Sequence, residues 1–164
     1  MRIRELTTTD LPAIFAINDA NTPAVGEETE STLGEILDLC SIALGVEVDG
    51  AGGPELAGFC QVLPPGTTYG SPNYAWFCQR YASFAYLDRV AFAPAHQGQG
   101  YGSALYAEVE QRAAGTSEWF LLEVNLKPRN DGSLRFHARL GFEEVGQQAA
   151  RGKVVSMMAK RLGS

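Results

Sequence analysis

Between residues 97 and 102 the chain reads Gln-Gly-Gln-Gly-Tyr-Gly, with three glycines at alternate positions in front of a stretch of helical spacing. Glycine reaches φ > 0 and lacks a Cβ, so successive main-chain N–H groups can converge on one anion while a helix dipole adds its positive end. Such a cradle suits a phosphate and needs no lysine. A Walker loop would require Gly-Lys-Ser/Thr, where Tyr101-Gly102-Ser103 stands here. A dinucleotide fingerprint would put its third glycine at Ser103 and would come earlier in the fold. A tight turn that binds nothing is the plain alternative, because glycines punctuate many loops. A second feature is Glu123 within Phe120-Leu121-Leu122-Glu123-Val124. A carboxylate in an otherwise apolar strand is costly unless partnered, and burial raises its pKa.

The elements that must position these groups follow from periodicity. Arg2–Leu6 alternates charged and apolar residues as a short strand does. Thr9 or Asp10 caps a helix that carries Leu11, Ile14 and Phe15 on one face, with Pro12 in its first turn. A second helix over Glu28–Cys40 presents Leu33, Ile36, Leu37 and Cys40. Ile42–Val48 and Leu56–Leu63 flank a turn-forming cluster and predict an antiparallel hairpin. Pro64–Ala82 is aromatic but irregular, and reads either as a functional loop or as rings covering one end of the sheet. Ser83–Phe92 is a strand closed by Pro94, the glycine turn opens a helix to about Gly115, and Glu118–Leu126 is a further strand. Asp131–Leu140 is a helix stopped by Gly141, and Phe142–Val145 and Lys153–Lys160 close the chain as strands. The order β-α-α-β-β-β-α-β-α-β-β fits one mixed α/β domain over 1–164 with a largely antiparallel sheet.

Composition narrows the partners. The 164 residues are 45% hydrophobic with a formal charge of −6, which allows a sizeable core and disfavours nucleic acid. Cys40, Cys60 and Cys78 are an odd number and lack metal-ligand spacing, so neither zinc nor a disulfide framework is expected. No leader-like or membrane-spanning apolar run is found, and the expectation is a cytoplasmic protein without a membrane partner.

Gln-x-x-Gly-x-Gly at Gln97–Gly102, after Tyr86-Leu87-Asp88-Arg89-Val90-Ala91-Phe92, resembles the acyl-CoA signature of the GNAT superfamily of N-acetyltransferases. Leu122-Glu123-Val124-Asn125, Asn130, Ser133 and Phe136-His137-Ala138-Arg139-Leu140-Gly141-Phe142 look like that superfamily's fifth strand, the helix after it and its Gly-Phe turn. Ser71-Pro72-Asn73-Tyr74-x-Trp76-Phe77 is similar to a bacterial branch of the same enzymes. The resemblance implies an α+β fold: a twisted, mostly antiparallel sheet of about seven strands with about four helices. It implies acetyl-CoA as co-substrate, no metal, and direct transfer to a primary amine, since no cysteine stands in the matched motifs as a nucleophile.

It also implies residue roles. The amides of Gln97, Gly98, Gln99, Gly100, Tyr101 and Gly102 would hold the pyrophosphate, Val90, Ala91 and Phe92 would line the pantetheine, and a bulge in that strand would aim an N–H at the thioester oxygen. Asn130, Ser133 and His137 would lie on the pantetheine and sulfur side. An attacking amine must be neutral, and Glu123 is the leading base, with Asp88 on the neighbouring strand as runner-up. An ion pair of Glu123 with Arg89 or Arg129 is the structural alternative. His137 stands where the superfamily usually has tyrosine, the acid for the leaving thiolate, and is read either as that acid or as a packed side chain. The acceptor would approach the side of Ala24–Thr32 and Pro64–Ala82, where Glu27, Glu28 and Glu30 could attract a cation. A non-catalytic acyl-CoA-binding module is the alternative function. Aromatic residues in the closing strands would suit a homodimer.

Overall fold

The computed structural model describes residues 1–163. Among them the chain forms strands β1 (Arg2–Glu5), β2 (Ile42–Gly50), β3 (Gly53–Leu63), β4 (Phe84–Phe92), β5 (Trp119–Lys127), β6 (Glu143–Ala150) and β7 (Lys153–Arg161). The helices are α1 (Leu11–Ala20), α2 (Glu30–Leu39), α3 (Pro72–Cys78), α4 (Tyr101–Ala113) and α5 (Asp131–Arg139). The strands follow the order β1-β2-β3-β4-β5-β7-β6 in one seven-stranded sheet. The chain falls into two compact units, one of Met1–Leu63 with Leu87–Arg112, the other of Pro64–Tyr86 with the stretch from Ala113 on, so β4 contributes to both.

In the first unit, β1 and β2 pair antiparallel from Arg2↔Glu47, and β2 and β3 from Ile42↔Val62 to Gly50↔Gly53, the expected hairpin. The start of α1 is fixed electrostatically. Arg4 donates to both carboxylate oxygens of Asp10 at 3.0 and 2.9 Å and to Glu47 at 2.7 Å, while Asp10 accepts from the Thr7 amide at 2.8 Å. The Arg4 hydrogen bonds hold the Asp10 carboxyl below its ordinary pKa. Leu6, Ile14, Ile17, Leu33, Phe59 and Ala91 form the core, with Leu11, Phe15 and Leu37 packed against it. The apolar stripes read from the sequence are therefore the faces that α1 and α2 bury.

In the second unit, Phe84, Ala85 and Tyr86 pair in parallel with Trp119, Phe120 and Leu121, and β7 pairs antiparallel with both β5 and β6. Its core is largely aromatic. The Tyr74 and Tyr86 ring centroids lie 5.5 Å apart, Phe77 and Tyr86 5.7 Å, and Phe120 and Phe142 5.2 Å.

Two expectations are corrected here. The segment read as irregular contains α3, whose N-cap Ser71 accepts from the Tyr74 amide and whose Pro72 occupies the first turn. Its Tyr74 and Phe77 are buried, so these rings are core rather than exposed loop. Strand β6 continues beyond Val145 to Ala150, because pairing of Gly146 through Ala150 with β7 supplies what the weak strand propensity of Gly-Gln-Gln-Ala-Ala does not. Phe142, the aromatic residue ahead of β6, is buried. No helix among the described residues is long and apolar enough to cross a membrane.

Candidate active site

The glycine turn lies between the end of β4 and α4 in the first unit. Gly98 and Gly100 take φ of +73° and +80°, a left-handed backbone that glycine reaches without strain. A Cβ built on either would have nothing within 4 Å. The first amide bonded back along the helix is that of Ala104, 3.3 Å from the Gly100 carbonyl oxygen. The N–H groups of Tyr101, Gly102 and Ser103 thus belong to the open first turn of a 13-residue helix. Alternating positive-φ glycines ahead of such a terminus make an anion-binding concavity out of backbone alone.

The glutamines of the turn are braces. Gln97 Nε2 donates to the Phe92 carbonyl at 3.1 Å and to Asn21 Oδ1 at 3.3 Å, and Gln99 Nε2 donates to the Ala95 carbonyl at 3.3 Å. Asn21 Nδ2 also reaches the Phe92 carbonyl at 3.0 Å. With two side-chain donors on it, that carbonyl is taken up within the protein, which narrows the expected pantetheine role of Phe92 to its N–H. Ala91 is buried in the core, while Val90 and Phe92 are half-buried. The Phe92 ring lies over Gly58, where a Cβ would come within 2.2 Å of it.

Glu123 sits on β5 in the second unit, half-buried, and its Oε1 accepts a 2.7 Å hydrogen bond from the hydroxyl of Tyr86 on β4. Register explains the meeting. Tyr86 pairs with Leu121, so Glu123 is its diagonal neighbour two residues on, within reach of a long aromatic side chain. Tyr86 was not singled out from sequence. The signal was its place in the β4 motif, but only the register of β4 on β5 turns that place into a contact.

Asp88, the runner-up base, accepts from Arg89 Nε at 2.8 Å with 5% of its side chain exposed. Arg129, one suggested partner of Glu123, is bonded to Asp131.

On α5 the candidate residues bond to one another. Asn130 caps the helix, accepting from the Ser133 amide at 3.1 Å. His137 Nδ1 lies 2.7 Å from the Ser133 carbonyl oxygen and 3.3 Å from Ser133 Oγ. A carbonyl can only accept, so Nδ1 carries the proton. The ring is buried and makes edge contacts to Phe136 and Phe142. Burial lowers its pKa below the ordinary 6.5, so near pH 7 it is neutral with its proton given to Ser133.

Burial pushes the thiols of Cys40 and Cys60 up to about 12, which disqualifies both as nucleophiles near neutral pH. Among the described residues no cluster of three His, Cys, Asp or Glu side chains could hold a metal.

Comparisons with known proteins bear on the family and the fold. The model of the Acetyltransferase (GNAT) family matches residues 11–142. The ribosomal-protein-alanine N-acetyltransferase from Brucella melitensis superposes with a TM-score of 0.72 at 27% identity, over 99% of this chain and all (100%) of that one. An acetyltransferase of the GNAT family from Streptococcus pneumoniae gives 0.73 at 18% identity over 99% of both chains. The protein yncA from Salmonella typhimurium, in a structure with its cofactor acetyl-CoA, gives 0.70 at 21% identity over 100% of this chain and 95% of that one. The last two speak for the fold alone. No curated protein matches the sequence.

Proposed function

Because the chain belongs to the Acetyltransferase (GNAT) family, we propose that it moves an acetyl group from acetyl-CoA directly to a primary amine, with the amide nest at 97–102 holding the diphosphate and Glu123 accepting the proton of the amine. The observation that carries this reading is the pair of positive-φ glycines ahead of α4. Glycines of this conformation ahead of a helix N-terminus can present main-chain N–H groups to an anion, in a protein of net charge −6.

The chemistry asks three things of the chain. The N–H groups of the nest supply fixed donors to the diphosphate, so no protein charge has to be reorganised on binding. Glu123, oriented by Tyr86, takes the proton that an ammonium must lose, since an unperturbed amine of pKa about 8 to 10.4 is mostly protonated at neutral pH. The transfer then forms an N–C bond and breaks the C–S bond, and CoA leaves as its thiolate. A thiol of ordinary pKa about 8.5 is a good enough leaving group that this step can draw its proton from solvent, so the reading needs no acid from His137. The high thiol pKa values of Cys40 and Cys60 favour direct transfer over a cysteine-bound acyl intermediate.

A non-catalytic acyl-CoA-binding module is the second reading, favoured by one observation: His137, at the position of the superfamily's acid, has its Nδ1 proton tied to Ser133. Thiol release from acetyl-CoA with a panel of primary amines and peptides separates the two. The acetyl-transfer reading expects amine-dependent release that Glu123→Gln lowers at least about a hundredfold while leaving acetyl-CoA binding intact. Binding of acetyl-CoA without release from any amine would favour the module.

A further inference from the structure

Charge is divided unevenly along the chain. Of its 13 Lys and Arg and its 19 Asp and Glu, the first compact unit holds 4 and 14, the second 9 and 5. An acidic protein therefore contains one basic unit, whose local charge can attract what the net charge would repel.

Both tryptophans of the chain lie in that basic unit, on one line of rings. Trp76 on α3 meets Phe77 with centroids 5.3 Å apart, Phe77 meets Tyr81 at 6.2 Å, and Tyr81 meets Trp119 on β5 at 5.3 Å. Phe77 is buried and roots the line in the core, while Trp76, Tyr81 and Trp119 are half-buried. Each tryptophan carries an exposed arginine. The Arg80 guanidinium lies 3.8 Å from the Trp76 ring centroid, and Arg161, opposite Trp119 in the β5–β7 register, lies 5.2 Å from that ring. Arg80 is pinned further by a 3.0 Å hydrogen bond from Nη1 to the Trp76 carbonyl. Among the described residues no carboxylate is ion-paired with either of these guanidiniums, whereas Arg2, Arg4, Arg89, Arg112 and Arg129 each have one.

A guanidinium held over a ring has its plane fixed, and its N–H fork fits a carboxylate in two parallel hydrogen bonds. Stacking has already removed rotamer freedom, so less ordering remains when an anion arrives. Trp, Tyr and Arg are also the residues in which binding energy concentrates at protein interfaces.

We propose that this strip docks an acidic peptide segment of another protein, with Arg80 and Arg161 each taking a carboxylate and the half-buried rings taking apolar side chains between them. A second copy of this chain meeting strip to strip would set the same cations against each other. A nucleic acid, charged at every phosphate, is repelled by a protein of net charge −6 over more than the two contacts that the arginines offer. The inference is independent of acetyl transfer, in which neither arginine has a part.

The test titrates the full chain by calorimetry with a dodecapeptide of three Glu-Leu-Glu-Gly repeats, blocked at both ends. The same peptide with lysine in place of glutamate, and a short oligothymidylate, are the comparisons. The acidic peptide should bind one-to-one, change the tryptophan fluorescence, and bind more weakly as salt is raised. Arg80→Gln and Arg161→Gln should each weaken binding about tenfold, and Arg80→Lys and Arg161→Lys, which keep the charge without the fork, about threefold. Arg135→Gln, at an exposed position on α5, should stay within about twofold of wild type. No binding of the acidic peptide at millimolar concentration, or tighter binding of the oligothymidylate, overturns the inference. So does an Arg135→Gln loss as large as the other two, which would mean diffuse attraction to the whole unit, and so do lysine variants that bind as wild type does.

Discussion

The Tyr86 hydroxyl, at the end of a ring with 0% exposure, donates to Glu123 Oε1 at 2.7 Å. The ring cannot swing away, because Tyr74 and Phe77 pack on it with centroids 5.5 and 5.7 Å distant. A carboxylate on β5 is thereby given one orientation by a side chain on β4.

Tyr86→Phe keeps the packing and removes that bond. Hydrogen bonds to charged groups contribute about 1.5–3 kcal/mol. We therefore expect kcat to fall about tenfold as the carboxylate loses its fixed orientation. Steady-state kinetics of wild type and variant check this; an unchanged kcat would separate Tyr86 from the chemistry.

His137 should make stability depend on pH. Its folded pKa lies below the unfolded value of about 6.5, so the unfolded chain binds the proton first. The contribution of the neutral ring is complete above pH 6.5 and is lost as pH falls below it and through the lowered folded value. The slope is at most about 1.4 kcal/mol per pH unit. His137→Phe keeps a ring beside Phe136 and Phe142, and denaturant melts across this window should show a flatter dependence for the variant. Asp10, also lowered, acts in a separate window, complete above its ordinary value of 3.8 and lost as pH falls through its folded one.

Tyr74 ties down residues 64–70. Its hydroxyl donates to the Pro64 carbonyl at 2.6 Å and accepts from the Thr67 amide at 2.9 Å. Tyr74→Phe leaves both backbone groups without that partner and should destabilise the protein by about 1–3 kcal/mol. Hydrogen exchange should quicken at Thr67 before it does in β5. A variant with unchanged exchange there would show that the loop is held by other means.

What could be read from the sequence was what local chemistry decides. The glycine turn was legible because Gly98 and Gly100 impose their geometry on their own residues, and the hairpin because alternation flanks a run of turn formers. Helix α3 was legible in principle, since Ser71-Pro72 is a capping pair, but the glycines and prolines around it hid a helix of 7 residues. Asn130 carried a similar ambiguity: the family resemblance implied a ligand contact, while its spacing to Ser133 is that of an N-cap and its amide. Tyr86 with Glu123 and Arg89 with Asn18 and Glu28 were out of reach. Each joins residues 37 to 71 positions apart, and only strand register and the path of the α1–α2 loop bring them together.

The central claim is that main-chain amides at the start of α4 grip the diphosphate of acetyl-CoA, and calorimetric titration of acetyl-CoA into wild type, Gly98→Ala and Gly100→Ala tests it most directly. A Cβ at either position meets open space, so alanine acts only by disfavouring φ near +73° and +80°, at about 1–2 kcal/mol each. We expect one-to-one binding by wild type and affinity about tenfold weaker in each variant, with melting temperatures lowered by about 2–8 °C. Absence of heat at millimolar acetyl-CoA, or equal affinity in all three proteins, would contradict the account.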